Sequence, residues 1–156
     1  MKKLSIFFSL IILATLQLSW PSALAVFNIK PDLLLIFAVS SVFYFNFKVA
    51  LAVAIFAGLL KDAFLPSGTA INTLLFSIWS YLAFRLSSQI STENNYIRLA
   101  IVLILALLNN AVLGIQSLNS GNFIPAGIFL RSLFISSLYT GAVSPLIFKL
   151  NRKLSA

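Results

Sequence analysis

The side chains able to do chemistry in this chain are few. There are three acids, Asp32, Asp62 and Glu93, and eleven lysines and arginines, with neither histidine nor cysteine. Disulfides, thiol nucleophiles, haem ligation, zinc sites and imidazole acid–base catalysis are thereby excluded. Three scattered carboxylates are also too few for the metal cluster of a lipid-headgroup transferase, so no metal, no cofactor and no enzymatic activity are expected. The candidates that remain lie within or beside apolar runs: Asp32 after Lys30-Pro31, the adjacent Lys61 and Asp62, the Asn109-Asn110 pair, and Arg131.

These residues must be carried by elements that lipid tolerates. Of the 156 residues, 60% are hydrophobic and only 9% are charged, with a mean hydropathy of +1.03. A water-soluble domain carries about 25% charged residues. The expected fold is therefore an all-α integral membrane protein, one multi-pass domain over residues 1–156. Six spans of about 20 residues would use roughly 120 of them.

The apolar runs are Leu4 to Val26, Leu33 to Phe47, Val49 to Leu65, Thr69 to Phe84, Leu99 to about Leu118, and Phe123 to Phe148. The third and fourth are short enough to form a partly re-entrant hairpin. The first has two readings, a retained span or a cleaved signal peptide with Ala23-Leu24-Ala25 as its small-residue site. A cytoplasmic N-terminus with six spans puts Lys2, Lys3, Lys48, Arg85, Arg98, Lys149, Arg152 and Lys153 on the inner side, eight of the eleven basic residues. This is the positive-inside pattern, and it places both termini in the cytoplasm. The net charge of +8 then marks a membrane face, not a nucleic-acid site.

Charge at membrane depth is costly and points to function by default. Lys61 and Asp62 follow Lys48 by 13 and 14 residues, which puts them roughly 20 Å above the inner edge. Arg131 precedes Lys149 by 18 residues, or about 27 Å. Asp62 is expected to pair with Arg131 or with a basic group of a partner, the alternative being that Arg131 snorkels to the outer headgroups. Asp32 is expected to cap a helix start. At least one of Asn109 and Asn110 should hydrogen-bond between helices, and Trp20 and Trp79 read as interface anchors.

Small and polar residues recur at helical spacing in four runs: Ala50, Ala54, Gly58 and Asp62; Thr69, Thr73, Ser77 and Ser80; Ala106, Asn110, Gly114 and Ser117; Ser132, Ser136, Thr140 and Ser144. Such seams hold helices together in lipid, within one bundle or against a partner.

Lys30-Pro31-Asp32-Leu33, Gly58-Leu59-Leu60-Lys61-Asp62, Asn72-Thr73-Leu74 and Ser80-Tyr81-Leu82, with Pro145 before a basic tail, resemble the rod shape-determining protein MreD family. Its clearest short motif is Gly-x-x-x-Asp at the end of the third span, matched by Gly58 and Asp62. One departure is Ala70 where the family often has Gly, the nearby loop glycine being Gly68. The resemblance implies a non-enzymatic scaffold of the bacterial cytoplasmic membrane within the elongation machinery, which makes peptidoglycan. MreC is the implied direct partner, and MreB filaments, RodA and penicillin-binding protein 2 belong to the same assembly, with membrane lipid around the chain and no nucleic acid. The alternative is the substrate-binding subunit of an energy-coupling-factor vitamin transporter, in which Asp62 and Arg131 would line a solute pocket.

Overall fold

The computed structural model describes residues 2–25, 27–64, 69–91, 93–121 and 123–156. Six α-helices follow in chain order: α1 (Lys2–Leu18), α2 (Leu33–Ser41), α3 (Phe47–Ala63), α4 (Ile71–Gln89), α5 (Asn95–Asn119) and α6 (Ala126–Ser155), with a 3₁₀ turn at Ser22–Leu24. Two of them, α5 and α6, are long and apolar enough to cross a membrane. The first apolar run is thus interrupted, because its helix stops at Leu18 ahead of Pro21. Val26, Leu65, Gly68 and Thr92 lie outside the described residues.

The shortest of the six helices is the second. Helices α3 and α4 are continuous, with 17 and 19 residues, whereas α2 has nine. Every residue of α2 is buried, as expected of a helix that is apolar all round. It packs against each of the other five helices and is the axis of the bundle. The two most extensive helix contacts are α3 with α4 and α5 with α6.

The four seams account for much of this packing. Ala50, Ala54, Gly58 and Asp62 are all buried on α3. In α6 Ser137, Thr140, Gly141 and Ser144 are among the buried residues, while Ser132 at the start of that stripe is exposed. Pro145 sits inside α6, where a proline leaves the carbonyl four residues back without its donor. That carbonyl belongs to Gly141, and the Ser144 hydroxyl donates to it at 2.7 Å. The helix therefore runs on through a residue that would otherwise break it.

Polar contacts tie α2 to α6 in parallel. The Asp32 amide donates to Thr140 Oγ1 at 3.1 Å, and Asn151 Nδ2 donates to Ser40 Oγ at 2.6 Å. With α2 in this direction, the start of α1, the start of α3 and the end of α6 share one end of the bundle. Lys48 opens α3 there, Arg152 lies in the last turn of α6, and Arg98 of α5 donates to Tyr44 Oη, just past α2, at 2.8 Å. The connector before α2 and the α3–α4 junction lie at the opposite end.

Candidate functional site

At the end away from the termini, three polar groups converge from separate elements. Pro31 ends the connector and Asp32 caps α2, its Oδ1 accepting from the Leu35 amide at 3.2 Å. The last turn of α3 brings Lys61 against the same carboxylate, and the two form an ion pair. Gln17, on α1, completes the group: its Nε2 donates to Asp32 Oδ1 at 3.4 Å and its Oε1 accepts from the Leu34 amide at 3.1 Å. Lys61 and Asp32 expose only 18% and 11% of their side chains. The Lys61 ammonium also lies 5.1 Å from the centre of the Phe76 ring, a favourable placement for a cation out of water.

A cavity of about 390 Å³ opens beside this group. Gln17, Lys30, Asp32, Lys61, Asn110 and Ser136 supply its polar lining. Asp62 and Arg131 do not take part.

Asp62 instead points into the start of α4. Its Oδ1 accepts from the Asn72 amide at 3.0 Å and from Asn72 Nδ2 at 2.8 Å. Oδ2 accepts from the Thr73 amide at 2.8 Å and from Thr73 Oγ1 at 2.7 Å. A helix start leaves amide donors without partners and carries partial positive charge, so a carboxylate there is doubly favoured. Ala70, the N-cap of α4, has no side chain able to do this; a residue of the previous helix does it instead. Gly58, one turn earlier on α3, faces the same place. A Cβ there would lie 2.4 Å from Thr73 Cα and 2.9 Å from the Asn72 carbonyl oxygen. The Gly-x-x-x-Asp spacing thus serves one purpose: the glycine lets the two backbones meet, and the aspartate ties down the turn that arrives.

The expected Asp62–Arg131 pair is not formed. Arg131 is exposed and stacks over Phe27, its guanidinium carbon 4.1 Å from the ring centre. Asp62 has four donors from α4 and needs no cation, while the arginine is held over Phe27 of the connector before α2. The residue that does pair with a carboxylate is Lys61, and its partner is Asp32, which therefore does more than cap.

Asn109 and Asn110 diverge as adjacent helical residues must. Asn109 is buried and accepts from Trp79 Nε1 at 3.1 Å, joining α5 to α4. Asn110 Nδ2 donates to Ser137 Oγ at 2.9 Å, joining α5 to α6. Trp79 is accordingly a buried bridging residue and not an interface anchor. Gly114 continues the α5–α6 seam, with the Phe129 ring occupying the space that a Cβ would need.

Sequence reasoning singled out neither Gln17 nor the capping roles of Asn72 and Thr73. A long amide side chain near the end of the apolar α1 was the available signal for the first. For the others it was the Asn-Thr pair opening the fourth run.

A family model described as rod shape-determining protein MreD matches residues 2–154. No curated protein and no solved structure gave a match.

Proposed function

The chain belongs to the MreD family of rod shape-determining membrane proteins, and from that premise we propose that it is a scaffold of the bacterial cell-elongation machinery. In this reading it lies in the cytoplasmic membrane as a multi-pass protein with both termini inside. It links MreC, and with it RodA and penicillin-binding protein 2, to MreB filaments. Its part in peptidoglycan synthesis is to hold components together, without catalysis.

The observation that carries this reading is the family match across almost the whole chain. The structure supports it through the way polar groups are used. Asp32, Lys61, Asp62, Asn109 and Asn110 all bond to other elements of the bundle, while large apolar side chains such as Phe8, Ile12, Leu74, Ile104, Phe134 and Leu138 face outward. Lateral contact in the membrane is what such a surface offers. The clustering of Lys48, Arg98 and Arg152 at the termini end favours that end as cytoplasmic. The vitamin-transporter alternative finds no support: the matching family is a different one, and neither Asp62 nor Arg131 lines the cavity.

Depletion in the native host tests the reading. Rods should round into spheres, and MreC should copurify with the tagged chain. Retention of rod shape after full depletion would refute the proposal. Orientation can be mapped on the same protein with single cysteines, since the chain has none of its own: position 153 should be shielded from an impermeant thiol reagent and position 30 labelled by it.

A further inference from the structure

The cavity beside the Asp32–Lys61 pair has an uneven balance of unmet bonding capacity. The Asp32 carboxylate already takes three donors, with Oδ1 accepting from Leu35 and Gln17 and Oδ2 from Lys61. The Gln17 amide is engaged at both of its ends. The lining also holds two ammonium groups, those of Lys30 and Lys61, and the Asn110 amide, whose Nδ2 is engaged by Ser137. An ammonium has three donors, and Lys61 gives one of them to Asp32. Lys30 makes a long contact of 3.4 Å to the Leu18 carbonyl. Ser136 adds a hydroxyl to the lining. Two lysines and one aspartate leave one positive charge in excess.

The remaining lining is apolar and includes Leu18, Leu34 and Phe64. Ligand pockets commonly measure about 300–1,000 Å³, and this cavity, at about 390 Å³, falls among the smaller ones. An anion with several acceptor oxygens would satisfy both ammonium groups together, and phosphate is the group that lysines meet as point charges.

We infer that this cavity is a binding site for a phosphate group, held between Lys30 and Lys61, with Leu18 and Phe64 receiving the first methylenes when the phosphate belongs to a lipid. The site is independent of the scaffold reading. A free phosphate and a lipid headgroup share the recognised chemistry, and they differ in whether the apolar wall contributes.

The test uses the full chain in detergent micelles, titrated with phosphatidic acid and read by native mass spectrometry. The wild type should retain one lipid molecule. Lys30→Gln removes a charge while leaving the Asp32–Lys61 pair intact, and should weaken retention roughly tenfold, the cost of one charge-assisted hydrogen bond. Lys30→Arg should restore it. Lys149→Gln, at the other end of the bundle, should have no effect. Equal retention by Lys30→Gln and the wild type would overturn the inference, as would an equal loss in Lys149→Gln, which would reveal unspecific attraction. Competition with inorganic phosphate separates the sources, and either result is consistent with a phosphate site. Displacement at millimolar phosphate identifies the free ion, whereas a lipid that stays bound shows that its chain contributes.

Discussion

Asp62 and Thr73, on successive helices, are joined twice, the carboxylate taking both the amide and the hydroxyl of the threonine at 2.8 and 2.7 Å. Because Gly58 touches the same residue through its backbone, the two ends of a four-residue spacing act on one target. The junction between α3 and α4 is thereby fixed in both distance and rotation.

Removing the cap should be costly. Asp62→Ala leaves the Asn72 and Thr73 amides without acceptors, and a loss of about 2–4 kcal/mol is expected. Unfolding in mixed micelles measures it. The double variant with Thr73→Ala should lose clearly less than the sum of the single changes, because both remove one contact.

Gly58→Ala places a methyl group against backbone atoms that cannot swing aside, at a cost of about 1–3 kcal/mol. Gly127 is a matched control, since a Cβ there meets nothing within 4 Å. Gly127→Ala should be neutral or slightly stabilising. Comparable losses at the two sites would contradict the close approach.

The Asp32–Lys61 pair predicts strong coupling. Lys61→Gln leaves a largely buried carboxylate without its cation and should cost about 3 kcal/mol or more. Asp32→Asn/Lys61→Gln should be less damaging than the summed single changes by at least about 1 kcal/mol. Additive losses in thermal unfolding would show that the two groups act separately.

Arg131 should behave independently of Asp62. Exposed and held against an aromatic ring, it should change stability by no more than about 0.5 kcal/mol when replaced by Gln. Asp62→Ala/Arg131→Gln should be additive in the same assay. A measurable coupling would restore the ion pair that the geometry denies.

The apolar runs of the sequence were enough to read the six elements, four-residue spacing the α3 seam, and the position of Asp32 at a helix start its capping role. The bonding of Asn109 and Asn110 to different helices follows from their being neighbours on one turn. What could not be read was which charges meet. Depth along a helix gives height in the bundle and nothing about rotation, so Asp62 and Arg131 read as complementary charges in the same outer half. Lys61 lies one residue, or about 100° of helix, from Asp62, and that turn sends the two side chains to different partners. The brevity of α2 was hidden for a related reason. Residues 42–45 continue as apolar turns whose amides bond to Val39, Ser40 and Ser41, so the apolar run outlasts the regular helix.

That buried second helix also bears on biogenesis. Nine residues at 1.5 Å each span about 14 Å, under half of a hydrocarbon core of about 30 Å. Such a segment has little of its own to hold it in a bilayer and gains its place only from the helices around it. The α3–α4 and α5–α6 hairpins, each with an extensive internal contact, are natural units of insertion, and α2 is the piece on which they close. The newly made chain therefore completes the polar bonds of its second segment only once its last helix has emerged. Before then, neither Thr140 nor Asn151 is there to receive it.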